Sequence, residues 1–270
     1  MEADPFEPWI RRWSLTADGA AFATRFGSRL MPVRCDGEAA MLKVAGHAEE
    51  VRGGALMAWW GGRGAARVLR REGAAIVLER AEGPLSLSRL ALEGADDEAT
   101  AILCDVAAGL HAARAQPAPE SLVPLPIWFR ALDEAARAHG GPYARAWAVA
   151  QDLLAEPREV VVLHGDFHHD NVLDGGARGW LAIDPKGLIG ERGFEYANLF
   201  RNPTAALALA PGVMARRADI VARRAGLDRT RLLRWVFAYA ALGAAWSLRS
   251  GDDPEPGLRI ADCAAADLDA

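Results

Sequence analysis

The chain has 270 residues, 51% hydrophobic and 25% charged, with 31 Lys and Arg against 36 Asp and Glu for a formal charge of −5. This is enough apolar material for one large core or two lobes, and it excludes a disordered chain. No basic run marks a nucleic-acid surface, the mild acidity suits a cationic small molecule better than a polyanion, and the longest apolar run, 236–246, falls short of the roughly 20 residues that span a bilayer.

The opening Met1-Glu2-Ala3-Asp4-Pro5 is acidic and leads into no apolar run, so no secretory leader is expected. From about residue 20 to 81 the pattern is short and strand-like. Runs at 30–35 and 39–44 flank Asp36-Gly37, a hairpin signal, and runs at 66–70 and 74–80 flank Glu72-Gly73, a second antiparallel pair. Between them, Val51, Ala55, Leu56, Trp59 and Trp60 recur near helical spacing, which predicts one helix over 49–60 despite Gly53 and Gly54. After Glu82-Gly83-Pro84 the composition turns to long Ala- and Leu-rich segments. Ile102, Leu103, Val106 and Leu110 form one apolar stripe, and further helices are expected at 127–139, 143–155, 212–225, 229–248 and 258–268. The expectation is an α+β, bilobal chain: residues 1–82 a small antiparallel sheet lobe with one helix, residues 83–270 a larger, mainly helical lobe. Cys35, Cys104 and Cys263 are odd in number and set apart in apolar segments, so they read as reduced core thiols of a cytoplasmic protein.

Within the helical part, 160–163 and 180–183 are short apolar runs, expected as strands that fix the polar segments after them. The first leads into His164-Gly165-Asp166-Phe167-His168-His169-Asp170-Asn171, the second into Asp184-Pro185-Lys186. The spacing suits phosphoryl transfer. Asp166 is placed to meet an attacking hydroxyl, while the Asn171 amide oxygen and the Asp184 carboxylate supply two hard oxygen ligands for Mg²⁺, with substrate phosphates completing its shell. Such a reaction also needs a cation on the nucleotide phosphates. The chain is almost wholly arginine-based and has two lysines, Lys43 and Lys186. Lys43 falls on a strand after a turn, where its ammonium can reach phosphates lying against the sheet, and Glu50 on the next helix is its expected partner, with Glu49 the competitor. A transition-metal site at His164, His168 and His169 is disfavoured, because Gly165 interrupts the segment and no further ligand is evident. The tryptophans within apolar helical stretches, such as Trp128 and Trp235, read as core.

These residues resemble the aminoglycoside phosphotransferase branch of the protein-kinase-like fold, in particular the streptomycin 6-kinase and hydroxyurea phosphotransferase family. The resemblance rests on His-Gly-Asp-x₄-Asn at 164–171 and on the longer run from Gly179 through Ile183-Asp184-Pro185-Lys186-Gly187-Leu188 to Gly193-Phe194, Ala197-Asn198 and Pro203. It implies ATP as donor, Asp166 as catalytic base, Asn171 and Asp184 on Mg²⁺, Lys43 on the phosphates with Glu50 as its partner, and adenine held by backbone groups near Glu79-Arg80-Ala81. The loop at 21–28 departs from the glycine-rich pattern of protein kinases with its single glycine, which leaves Ser28 or nearby amides as candidate phosphate contacts. Glu195 is expected to brace the catalytic loop, Glu191 to face the acceptor, and Lys186 to meet phosphate or a neighbouring carboxylate. The implied reaction is phosphorylation of an aminoglycoside hydroxyl, streptomycin at its 6-position first. The alternatives are a kinase for another small hydroxylated compound and a catalytically idle nucleotide binder, which would have no need of Asp166.

Overall fold

The computed structural model describes residues 4–24 and 27–268, so Met1 to Ala3 of the acidic opening and Arg25 and Phe26 of the expected phosphate loop lie outside the described residues. The chain opens with a short helix, α1 (Glu7–Arg12), that the sequence pattern did not signal. A six-stranded antiparallel sheet comes next: β1 (Thr16–Ala17), β2 (Phe22–Ala23), β3 (Arg29–Cys35), β4 (Glu38–Val44), β5 (Val68–Glu72) and β6 (Ala75–Glu79), in the order β1-β3-β4-β6-β5 with β2 also on β3. The β3–β4 hairpin turns at Asp36-Gly37, both with positive φ, which matches the right-handed twist of the strands.

Alternation along β4 gives the sheet its two faces. Ala40 and Leu42 pack with Val33, Ala75 and Val77 beneath Trp9 and Trp13 of the N-terminal segment, so Met41 and Lys43 project from the opposite face. Over that face runs α2 (Ala48–Trp60), which sends Leu56, Met57 and Trp60 into the main core. Gly53 stands mid-helix because α2 crosses Pro185 closely: a Cβ there would lie 2.2 Å from the Pro185 carbonyl oxygen.

The remainder is mainly helical. Helices α3 (Leu87–Leu90) and α4 (Asp96–His111) come first, and β7 (Val123–Pro124) then precedes α5 (Leu125–Trp128), α6 (Arg130–His139) and α7 (Gly141–Ala155). The helix expected over 127–139 is thus two, because Phe129 (φ −82°, ψ 2°) leaves helical geometry between them. Strands β8 (Val160–Leu163), β9 (Val172–Asp174), β10 (Trp180–Ala182) and β11 (Leu188–Glu191) flank the segments that carry Asp166 and Asp184. The two expected strands do not share a sheet. β8 pairs with β11, while β10 pairs with β9, and neither β9 nor β11 carried a distinct sequence signal.

The chain closes with α8 (Arg192–Glu195), α9 (Ala205–Ala208), α10 (Val213–Ala225), α11 (Arg229–Ser250) and α12 (Glu255–Leu268). Asp228 caps α11 by accepting from the Arg231 amide at 2.7 Å. Most of α11 from Leu232 to Ala245 is buried, as expected of a core helix apolar all round. No helix among the described residues is long and apolar enough to cross a membrane. All three cysteines are free thiols, and burial pushes Cys104 up to about 12, so it behaves as core packing.

Candidate active site

β8 feeds directly into the loop that carries Asp166. Gly165 has φ +83°, and a Cβ on it would lie 2.6 Å from Leu188, so only glycine lets the loop pass so close to β11. The loop is held from below by Glu195, which is 1% exposed and accepts from the amides of His164 at 2.7 Å and Gly165 at 2.9 Å. His111 of α4 lies on the same carboxylate at 3.1 Å. Burial alone would raise the Glu195 carboxyl, but His111 and the loop amides outweigh it and hold the group below its ordinary value. The His164 ring is buried, which holds its pKa below the ordinary imidazole value, and its Nε2 meets the Ile183 carbonyl at 2.8 Å, which ties the Asp166 loop to the residue before Asp184. His168 lies 3.7 Å from Asp166 by Nε2, whereas His169 is buried and pushed down to about 3, first by burial and then by Arg217. The three histidines therefore face three different surroundings.

Asp166 and Asn171 meet through the backbone: Asn171 Nδ2 donates to the Asp166 carbonyl at 2.8 Å, which turns the amide oxygen away as an available ligand. The β9–β10 hairpin continues the link, with Val172 opposite Ala182 and the Ile183 amide on the Asn171 carbonyl at 2.9 Å. Asp184 then sits at φ +58°, a left-handed conformation uncommon outside glycine and often found at functional sites. Its carboxylate receives Lys43, which also pairs with Glu50 at 3.0 Å. Burial would raise the Asp184 carboxyl, but Lys43 overcomes it and leaves the group lowered. Of the two glutamates that compete for Lys43, Glu50 is thus the one in contact. Glu49 instead lies 3.5 Å from Lys186.

Two oxygen donors, Asn171 and Asp184, suit Mg²⁺, which takes few protein ligands and completes its octahedron with phosphates and water. Among the described residues no three His, Cys, Asp or Glu side chains gather as a protein-enclosed metal cage, so such an ion would depend on its substrate.

Glu79 and Ala81 stand at the other end of the sheet strand. Lys43 is opposite Ile76 and Ala40 opposite Glu79, a separation of roughly 10 Å along the strands. The Glu79 carboxylate is committed to Arg67 (2.8 Å) and Arg178 (3.0 Å) and its amide donates to the Arg67 carbonyl at 2.9 Å, so neither is left for a ligand, while the Ala81 amide and carbonyl have no partner among the described residues.

Two expectations change. Ser28 is fully buried and gives its hydroxyl to Glu50 while accepting from the Gly46 amide, so it braces the Lys43 partner and is not exposed to a phosphate. Glu191 does not face an acceptor: it is 4% exposed and holds Arg231 at 2.6 Å, the Trp235 indole at 2.8 Å and the Arg158 amide at 2.9 Å. Lys186, expected on phosphate or a carboxylate, lies beside the carboxylates of Glu49 and Asp166. Sequence reasoning quoted Asn198 within the family run but gave it no role; its amide reaches the Asp166 carboxylate, a contact between segments distant in sequence that no local pattern shows.

Known proteins resemble this chain over most of its length. The chain is 49% identical over 247 residues to a streptomycin 3''-kinase of Klebsiella pneumoniae, covering 90% of this chain and 92% of that one. It is 32% identical over 255 residues to a streptomycin 6-kinase of Streptomyces griseus, covering 90% and 81%. A crystal structure of aminoglycoside phosphotransferase APH(4)-Ia, a ternary complex with ADP and hygromycin B, shares the fold with a TM-score of 0.69 at 18% identity, over 96% of this chain and 97% of that one. Residues 12–251 match the family model for the aminoglycoside/hydroxyurea antibiotic resistance kinases. The chain belongs to that family and is a phosphotransferase of the kinase-like α+β fold.

Proposed function

We propose that this enzyme transfers the γ-phosphoryl group of ATP to a hydroxyl of streptomycin, and that the hydroxyl is the 3''. The observation that carries the position is the 49% identity to the Klebsiella 3''-kinase over nearly the whole of both chains, against 32% to the Streptomyces 6-kinase. The 6-hydroxyl, favoured by the motif resemblance, is the second reading.

In this reading residues 1–82 carry the nucleotide and residues 83–270 carry the catalytic loop and the acceptor site. Adenine lies against the backbone of Glu79 to Ala81, and Lys43, aligned by Glu50, neutralises the phosphates. Asn171 and Asp184 would hold Mg²⁺, which would supply positive charge against the nucleotide phosphates. Asp166 orients the acceptor hydroxyl and accepts its proton as the bond to phosphorus forms. Little covalent work falls to the protein, so position and preorganised charge supply the rate.

The test is to incubate the protein with streptomycin, ATP and Mg²⁺ and to locate the phosphate by ³¹P–¹H correlation. A phosphorus coupled to the 3'' proton is expected; coupling to the 6 proton gives the second reading, and no phosphorylated product overturns both.

A further inference from the structure

The chain spends its two lysines in one place. Lys43 pairs with Glu50 at 3.0 Å and Lys186 lies 3.5 Å from Glu49, so consecutive glutamates in the first turn of α2 each take one. Lys186 Nζ is also 3.6 Å from Asp166 Oδ2, with its side chain 16% exposed. Four carboxylates, Glu49, Glu50, Asp166 and Asp184, thus surround two ammonium groups.

The backbone of Lys186 is fixed on both sides. Its amide donates to the His164 carbonyl at 2.7 Å, and its carbonyl accepts from Arg52 of α2 at 2.8 Å. The ammonium is held more loosely. Its two carboxylate distances exceed the roughly 2.7–2.9 Å of a charge-assisted hydrogen bond, so its N–H groups remain available to a third partner. An anionic phosphoryl group approaching Asp166 is repelled by that carboxylate, and a cation beside Asp166 is what offsets the repulsion. A compact ammonium with three donors serves this position where the planar fork of arginine, the chain's usual cation, would not.

We propose that Lys186 is a catalytic residue of the transfer, binding the γ-phosphoryl oxygens beside Asp166 and holding them against the acceptor hydroxyl. This rests on the assignment of Asp166 and Asp184 above. The new P–O bond forms from the acceptor oxygen, the bond to the ADP oxygen breaks, and the proton goes to Asp166; Lys186 stays charged throughout.

Because ADP lacks the γ-group, calorimetric titration with Mg·AMP-PNP and Mg·ADP isolates the contact. The wild type is expected to prefer AMP-PNP. K186M should lose about tenfold or more in AMP-PNP affinity while binding ADP within about twofold of wild type, and K186R, which keeps the charge but not the compact ammonium, should recover only a small part of that loss. In turnover, K186M should lose about 100-fold in kcat with the acceptor KM nearly unchanged. Should K186M not fold, K186Q keeps the stem and removes the charge. An unchanged AMP-PNP to ADP ratio in the uncharged variant would reduce Lys186 to a bridge between Glu49 and Asp166 and overturn the proposal. A wild type that binds neither nucleotide would overturn the kinase-site assignment itself, so the two failures are distinct.

Discussion

The side-chain amide of Asn198 donates to Oδ1 of Asp166 at 2.9 Å. Asn198 is itself fixed, since Asn202 Nδ2 donates to its carbonyl oxygens at 2.9 and 3.1 Å, and the fully buried Arg217 holds the Leu199 and Asn202 carbonyls from behind. One carboxylate oxygen is therefore anchored and the other, Oδ2, faces Lys186. Replacing Asn198 with Ala frees the carboxylate to rotate, and kcat should fall about 10–100-fold with nucleotide KM unchanged, as steady-state kinetics would report. Asn198→Asp, which places a like charge on Asp166, should be worse.

Lys43 and Glu50 act on a different quantity. In the proposed role Lys43 neutralises the nucleotide phosphates, so Lys43→Met should weaken nucleotide affinity about 10–100-fold by titration. Glu50→Gln leaves Lys43 with Asp184 alone and should raise nucleotide KM by a smaller factor. Equal effects on acceptor KM would place the pair elsewhere.

Glu191 is a stability element. Burial alone would raise its carboxyl, but Arg231, the Arg158 amide and the Trp235 indole together hold it below its ordinary value. A carboxyl lowered on folding contributes stability that is complete above its unfolded value of about 4.3 and is lost as pH falls through the folded one. Glu191→Gln should therefore cost about 3 kcal/mol at neutral pH by denaturant unfolding, and the gap to wild type should narrow in acid.

Gly53 sets how closely α2 approaches the Asp184 segment. Alanine would gain about 1 kcal/mol in helix propensity, yet its Cβ would meet backbone 2.2 Å away, so Gly53→Ala should lower both the melting temperature and kcat. Gly54→Ala, whose Cβ meets the end of Ile76 at 3.3 Å, should be milder.

Much of the fold was legible because it is written in local patterns. Asp36-Gly37 marked the first hairpin, the apolar stripe at 102–110 marked α4, and the long apolar stretch of α11 marked a core helix. The candidate site residues were chosen for residue type and spacing along one loop, and the fold brings Lys43, Glu50 and Asp184 into contact. What escaped depends on contacts distant in sequence. β9 and β11 are three and four residues long and gain their partners from the tertiary fold. Glu191 looked available because charge suggests solvent, and its neutralisation by Arg231, forty residues away, is invisible locally. Asn198 and the bridging of Lys186 to Asp166 are likewise relationships between elements.

The most direct test of the central claim compares wild type with Asp166→Asn in the presence of Mg·ATP and streptomycin. ADP release should match phosphorylated streptomycin one for one in the wild type. In the variant it should fall by about 10²–10⁴-fold, with Mg·AMP-PNP affinity within about twofold of wild type. A variant that turns over at the wild-type rate would show that Asp166 is not the group that meets the acceptor hydroxyl.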